Sequence, residues 1–444
     1  MERSIKHELI SWKNKSIRLP LILQGTRQVG KTYIMKWFGK EYFSKSAYFN
    51  FDERPELKEL FQKNKNTQQI IATLSLVVGF SIDNETLVIF DEIQECPEAL
   101  NSLKYFAEQF PEIPIICAGS LLGILLNSGN SFPVGKVEFI TLHPMTFREV
   151  LPYWDIQLSQ FLEQLTSVEP IPEIFYNDLI YQFKKYMVTG GLPAVIRAFN
   201  ENQNFESADE VLHNLILSYK GDFAKHPIMK DVAKVTQVFE SLPAQLAREN
   251  KKFVYQLIRS GARAREFEDA IQWLIQTGLV HKVKLNIKPA LPVAAYDDQS
   301  IFKLYAFDVG VIRKLAKLSP SIFVDGNRLF TEFKGALIEN YILQSLKAQF
   351  EDSPRYWTSG NTAEVDFLVQ FDNNIFPIEV KSDENIKSKS LTLYQTKFNP
   401  PLRIRYSLKN LQFRDGLLNI PHFLADFTSQ FIRNCKTIDP IANI

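Results

Sequence analysis

Residues 25–32 read GTRQVGKT, directly after the apolar run LPLILQ and directly before a segment of helical character. Gly25, Gly30, Lys31 and Thr32 occupy every fixed position of the pattern GxxxxGK[ST]. A loop of this kind needs a buried strand to deliver it and a helix to receive it. It therefore constrains the fold more than any other feature of the chain. The runs that follow extend the pattern: LPLILQG (19–25), SAYFNFDE (46–53), TLVIFDE (86–92), IPIICAGS (113–120) and VEFITL (137–142) read as strands, with segments such as ELKELFQ and PEALNSLKYFAEQF between them as helices. Strands alternating with helices predict an α/β fold with a parallel sheet covered on both faces.

The loop itself specifies a chemistry. Its glycines let backbone N–H groups close around phosphate, and the helix N-terminus adds partial positive charge. This predicts ATP at Gly25, Thr26, Arg27, Gln28, Val29, Gly30, Lys31 and Thr32, with Lys31 on the β- and γ-phosphates and Thr32 on Mg²⁺. LVIFDE supplies the second half. Its apolar run delivers Asp91 and Glu92 at a strand end, Asp91 to hold Mg²⁺ and Glu92 to polarise the attacking water as general base. Ser120 ends a third apolar strand, where it either senses the γ-phosphate or belongs to an ordinary turn with Gly119. Arg27 is open to phosphate, to a neighbouring subunit or to solvent.

The chain has 444 residues, which suggests about two to four domains. A net charge of +1 excludes a global field for nucleic acid or membrane, so any basic surface is local. Cys96, Cys117 and Cys435 lie far apart without metal spacing, which fits a reducing cytoplasm. The charged N-terminus has no apolar run, and no stretch approaches the roughly 18 apolar residues of a membrane span. The expectation is a cytoplasmic protein without a membrane partner.

Four residues near the carboxyl end form a second constellation. Glu379 and Lys381 lie two apart in the predicted strand FPIEVKS, hence on one face. Asp366 lies in the strand EVDFLV and Glu339 on the helix KGALIENYI. Three carboxylates and a lysine suit a hard cation, Mg²⁺ or Mn²⁺, beside a phosphodiester, with Glu339, Asp366 and Glu379 as ligands and Glu379 and Lys381 as catalytic groups. This is the E…D…ExK arrangement of the PD-(D/E)XK nuclease fold, in the same helix–strand–strand order. The competing readings are a solvated charged sheet face and a nuclease-like domain that only binds. Between Lys381 and Arg414, eight basic side chains face two acids, and Arg259, Arg263, Arg265, Lys282, Lys284 and Lys288 lie farther upstream. Such patches suit phosphate contacts that set affinity without reading sequence. In the segment before 300, KFVYQLIRSG and RAREFEDAIQWLIQTGLV predict two short helices leading into a basic, β-branched segment, the pattern of a winged helix.

Together these residues resemble a broad prokaryotic family with an AAA-type P-loop ATPase domain, a helical lid, a winged helix and a PD-(D/E)XK-like domain. The resemblance spans nearly the whole chain and rests on GTRQVGKT, YFNFDE (48–53), LVIFDEIQ (87–94), AGSLLG (118–123), HPMTFREVL (143–151), TGGLPAVI (189–196), RAREFEDAIQWLIQTGLV (263–280), FKLYAFDVGVI (302–312), GALIENYIL (335–343), AEVDFLV (363–369) and IEVKS (378–382). It implies an ATPase core at 1–150, a helical lid at 151–225, a winged helix at 226–300 and a nuclease-like domain at 301–444. It also implies ATP hydrolysis with Ser120 as sensor, a nucleic-acid partner, and a homo-oligomer, since AAA-type sites often lie between subunits. One departure stands out. The family tends to carry Gly-Arg before the strand at 137, whereas this chain has Gly135-Lys136. Lysine does not reproduce a bidentate arginine, so no arginine finger is assigned. The alternative functions are a nucleotide-dependent switch whose nuclease-like domain is inactive and, less favoured, a P-loop kinase or transferase.

Overall fold

The computed structural model describes residues 2–63, 66–119, 135–225, 232–321, 331–360, 362–382 and 389–438. The chain divides into two compact units. One comprises Met1–His143 with Gln276–Leu279, and the other Pro144–Ile275 with Val280–Ile444.

The first unit is built on a five-stranded sheet of β1 (Leu21–Gln24), β2 (Lys45–Asn50), β3 (Thr86–Asp91), β4 (Ile115–Ala118) and β5 (Glu138–Thr141), in the order β2-β3-β4-β1-β5. Every pairing is parallel. The continuous apolar runs in β3 and β4 are explained by burial on both faces, since every residue of both strands is buried. Helices α1 (Lys6–Lys13), α2 (Lys31–Tyr42), α3 (Glu56–Lys63), α4 (Thr67–Val78) and α5 (Pro97–Gln109) complete it. Sequence patterns place these strands within about three residues of their observed ends. A core of Phe49, Phe51, Phe61, Phe90 and Phe106 fills the space under α3 and α5, with Phe51 and Phe90 ring centroids 5.7 Å apart.

The second unit begins with helices α6 (Phe147–Trp154), α7 (Ile156–Glu163), α8 (Glu173–Thr189), α9 (Pro193–Asn202), α10 (Phe205–Lys225), α11 (Val232–Leu246) and α12 (Ala264–Gln276). KFVYQLIRSG departs from its expected helix and forms a single 3₁₀ turn at Tyr255–Leu257. Phe253 donates its amide to Phe302 and stacks on that ring, with centroids 5.3 Å apart, so the start of the segment is held extended. Gly261, at φ +76°, turns the chain before α12.

Strands β6 (Val280–Asn286), in the basic segment, and β7 (Asp297–Ala306) pair as an antiparallel hairpin. They also continue into one eight-stranded sheet with β8 (Arg355–Thr358), β9 (Glu364–Phe371), β10 (Asn374–Val380), β11 (Arg403–Ser407), β12 (Gln412–Arg414) and β13 (Leu417–Pro421). The link is a parallel pairing of Leu285 with Tyr356, so the basic segment expected for a winged helix shares a sheet with the strands expected for the nuclease-like domain. Helices α13 (Val309–Leu315), α14 (Thr331–Gln349), α15 (Lys389–Phe398) and α16 (Thr428–Ile438) complete the unit. From α14 onward the chain runs helix, three antiparallel strands β8–β10, helix α15, then β11 parallel to β10.

Two sequence motifs of the second unit interlock. Gly190, at φ +67°, and Gly191 lie against Asp308, whose carboxylate accepts the Gly191 amide at 2.7 Å and caps α13 through Val311 N at 3.1 Å. A Cβ on Gly191 would lie 2.0 Å from the Met145 carbonyl. TGGLPAVI, FKLYAFDVGVI and the HPMTFREVL segment therefore meet in one buried polar knot. In the last of these, Thr146 and Glu149 form a capping box at the start of α6. No described helix is long and apolar enough to cross a membrane, and the three cysteines are buried and not disulfide-bonded.

Candidate functional site

In the first unit β1 ends at the glycine loop and α2 starts at Lys31, with Gly30 as its N-cap at φ +99°. Gly25 and Gln28 are also left-handed, at φ +144° and +70°. The close approach at Gly25 demands glycine, because a Cβ there would lie 2.2 Å from the Leu142 carbonyl. Lys31 is 8% exposed and donates to the carbonyls of Gly25 (2.7 Å) and Thr26 (3.0 Å). Burial lowers its ammonium to about 8, although the charges of Glu92 and Asp91 pull the other way. A phosphate beside Lys31 would restore the charge that burial disfavours.

Asp91 ends β3 and is buried. Its Oδ2 accepts Tyr48 OH at 2.8 Å and its Oδ1 the Glu92 amide at 3.1 Å. Glu92 follows at φ +51° and accepts Gln94 Nε2 at 2.6 Å. The acid pair thus sits on a strained turn after β3, separated from the loop strand by β4. Tyr48, directly across β2–β3 from Ile89, was not anticipated as part of this site, although YFNFDE carries it. Arg3 was missed as well. Buried at 7% exposure, it donates to the carbonyls of Val29 (3.0 Å) and His143 (2.6 Å), fixing the loop and the chain that follows β5. Thr26 Oγ1 donates to the Gly278 carbonyl at 3.0 Å, so the TGL turn of the RAREFEDAIQWLIQTGLV motif closes on the loop. Ser120 lies outside the described residues. Lys136, where the family pattern carries arginine, pairs with Glu108 at 3.0 Å on the surface.

The second constellation is gathered by α14, β9 and β10. Glu339 is 3% exposed, and Lys251 pairs with its Oε2. Tyr305 OH donates to its Oε1, and Lys303 lies 3.6 Å from the same oxygen. Lys303, fully buried on β7, also reaches Glu364 at 2.6 Å. Burial alone would raise the Glu339 carboxyl, but the two lysines outweigh it and hold it well below the ordinary range. Asp366 goes the other way, raised by burial and then by the charge of Glu339. Its Oδ2 accepts the Val380 amide at 2.8 Å. Glu379 pairs through Oε1 with Lys381 at 2.9 Å, while its buried Oε2 has no hydrogen-bond partner among the described residues.

As placed, this set does not fit a divalent ion. Among the described residues no group of three His, Cys, Asp or Glu side chains is arranged to hold a metal, and lysine ammoniums already neutralise Glu339. Sequence spacing identified the carboxylates but not Lys251, Lys303 or Tyr305, which come from distant segments. His422 was missed too. Its Nε2–H donates to the Lys381 carbonyl at 3.0 Å, behind the E-x-K strand. Of the upstream basic residues, Arg259 pairs with Glu266, Lys282 lies over the Phe302 ring at 4.2 Å, and Lys284 donates to Gln299 at 2.9 Å.

A glycine loop between a parallel strand and a helix, with an acid pair ending another strand of that sheet, defines an AAA-type P-loop ATPase domain. Residues 18–151 match the family model described as an AAA domain. Residues 180–322 and 334–423 match two models described as domains of unknown function, DUF8612 and DUF4143. No curated protein matches the chain. Among solved structures, the chain is similar to a Walker-type ATPase of Pyrococcus abyssi at 17% identity, covering 71% of this chain and 96% of that one, with a TM-score of 0.46. It is also similar to Cdc6p of Pyrobaculum aerophilum (12% identity, 71% and 95% covered, TM-score 0.26) and to the RuvB Holliday junction branch migration motor of Thermotoga maritima (12% identity, 65% and 90% covered, TM-score 0.28). The assignment of the first domain rests on its family model, its loop and its sheet.

Proposed function

We propose that the protein is a cytoplasmic, ATP-hydrolysing AAA enzyme whose carboxyl-terminal modules act on nucleic acid. One observation carries the ATPase reading: Lys31 at the start of α2 is buried within the electrostatic reach of Asp91 and Glu92 at the end of β3. The amides of the 25–32 loop and the α2 N-terminus bind the phosphates, and Lys31 neutralises the β- and γ-phosphates. The Thr32 hydroxyl and the Asp91 carboxylate form a hard-oxygen donor set suited to Mg²⁺. When bound, Mg²⁺ would supply further charge neutralisation on the phosphates. Glu92, held by Gln94, orients and deprotonates the attacking water. Ser120 serves as the sensor, Arg27 faces phosphate, and a homo-oligomer completes the site, with no arginine finger assigned.

The nucleic-acid part is supported by the helix–three strands–helix–strand order from α14 to β11, by Glu339, Asp366, Glu379 and Lys381 on that framework, and by the basic segment 381–414. A winged helix over 226–300 is supported by α12 followed by the β6–β7 hairpin. The engagement of Glu339 by Lys251 and Lys303 favours a second reading, in which the nuclease-like domain binds without cutting and the protein is a nucleotide-dependent switch.

The deciding experiment measures ATP turnover with and without DNA. Lys31→Ala should abolish binding and hydrolysis, whereas Glu92→Gln should bind ATP and fail to hydrolyse it. Wild-type turnover in both variants would refute the site. Turnover stimulated by DNA favours the nucleic-acid enzyme, and slow turnover indifferent to DNA favours the switch.

A further inference from the structure

The turn that joins β6 to β7 is apolar for a surface loop. Residues 287–296 read IKPALPVAAY, with Lys288 as the single charged residue. Ile287 is 65% exposed and Leu291 43%, and Pro292, Ala294 and Ala295 are exposed with them. Such a run is unfavourable in water and marks a contact surface. The turn is also held in one shape. Buried Asn286 donates to the Val293 carbonyl at 2.9 Å and to Asp297 Oδ1 at 3.3 Å, and the Ile287 amide donates to the Tyr296 carbonyl at 3.0 Å. Asp297 pairs in turn with Arg355 of β8 at 3.3 Å, and Val293 is buried. The apolar tip is therefore preorganised, with little conformational freedom left to lose on contact.

The strand leading to the tip is basic. From Val280 to Tyr296 there are three lysines and no Asp or Glu. Lys282 and Lys284 share one face of β6, where they pair with Leu304 and Phe302 of β7. Lys282 lies over the Phe302 ring at 4.2 Å, Lys284 donates to the Gln299 amide oxygen at 2.9 Å, and Lys288 lies over the Tyr296 ring at 5.3 Å. The three ammoniums thus rest on neutral groups and keep their charge for a polyanion.

We propose that the β6–β7 tip is a wedge for duplex nucleic acid, with Lys284 and Lys288 on backbone phosphates and Ile287 and Leu291 entering a base step. The inference rests on the nucleic-acid reading and adds the form of the partner and the mode of contact. Parted bases expose apolar faces between two rows of phosphate, which matches an apolar tip with lysines behind it. Pyrimidine–purine steps part most easily.

The test is a short duplex carrying 2-aminopurine at its pyrimidine–purine steps, titrated with the full chain in EDTA so that cleavage cannot mimic unstacking. Binding should raise the 2-aminopurine fluorescence. Ile287→Ser/Leu291→Ser should bind with the same salt dependence and lose that rise. Both positions are exposed, so the substitutions open no cavity. Lys284→Ala/Lys288→Ala should reduce the slope of log affinity against log salt by about two. Wild-type binding without a rise, a rise that survives Ile287→Ser/Leu291→Ser, or an unchanged slope in the lysine variant overturns the wedge and leaves the nucleic-acid reading standing. A wild-type chain that binds neither duplex nor single strand refutes both. Vesicles of phosphatidylserine and phosphatidylcholine form the last arm. Vesicle binding that requires Ile287 and Leu291, with no change in the duplex, assigns the tip to a lipid surface and overturns the wedge.

Discussion

The Asp308 carboxylate accepts the Gly191 amide at 2.7 Å across 117 residues of sequence. The pair joins two of the motifs that carry the family resemblance, and in the fold both are architectural. Asp308 is fully buried and also receives Val311 N and, at 3.4 Å, Gln344 Nε2. Gly190 leaves no room for a side chain, because a Cβ would lie 2.1 Å from Asp308 Oδ1. Asp308→Ala strands two buried amides, and Gly190→Ala forces a clash at a positive φ. Each should destabilise the second unit by about 2–4 kcal/mol. Urea denaturation of the full chain measures this, and an unchanged midpoint for either variant would show that the knot is dispensable.

Much of this architecture was legible beforehand, for reasons visible in particular segments. LVIFDE is apolar because β3 is buried on both faces, so its run marks a strand and its end marks Asp91 and Glu92. EVDFLV and FPIEVKS show the alternation of a sheet with one charged face. KFVYQLIRSG misled because its helical spacing competes with pairing of Phe253 beside Phe302, a contact between residues far apart in sequence. The same limit hid the partners of the site. Tyr48, Arg3, Lys251, Lys303 and His422 are ordinary residues in sequence, and only tertiary contact places them against Asp91, Val29, Glu339 and Lys381.

Tyr48 gives the first of these a measurable role. Its hydroxyl donates to Asp91 Oδ2 at 2.8 Å and so fixes the carboxylate proposed to face Mg²⁺. Tyr48→Phe removes the donor and keeps the ring. A hydrogen bond to a charged group contributes about 1.5–3 kcal/mol, so the ATP turnover rate should fall roughly ten-fold or more while nucleotide affinity changes little. Steady-state kinetics separates the two parameters. Wild-type turnover in Tyr48→Phe would mean that the phenol only packs.

Arg3 acts on the loop itself. Its guanidinium ties Val29, inside the glycine loop, to His143 beyond β5. Arg3→Ala frees both carbonyls and lets the loop sample conformations that bind phosphate poorly. Nucleotide affinity should weaken about five- to ten-fold, roughly 1–1.4 kcal/mol and so only part of what the charged hydrogen bonds contribute. Arg3→Lys, which keeps charge but loses the fork, should fall between the two. Titration with a fluorescent ATP analogue checks the order, and equal affinities across the series would exclude a positioning role.

His422 predicts how the second unit responds to acid. Burial lowers its imidazolium to about 4 from 6.5, with Lys334 adding to the shift and the Lys381 carbonyl opposing it. The folded state therefore holds the ring neutral where the unfolded chain would protonate it. Its stabilising contribution is complete above pH 6.5 and is lost as pH falls from 6.5 toward 4. Over that window the loss reaches about 3 kcal/mol. Asp308, raised to about 6 by burial, and Asp426, also raised by burial, act in the opposite sense, because protonation favours their buried forms. The wild-type curve alone mixes these effects, and a difference curve separates them. His422→Gln retains a donor for the Lys381 carbonyl and cannot titrate. It should be less stable than wild type at pH 7.5, and that gap should narrow as pH approaches 4. Chemical denaturation at several pH values measures it, and a gap that stays constant from pH 7.5 to 4 would show that His422 is not held neutral by the fold.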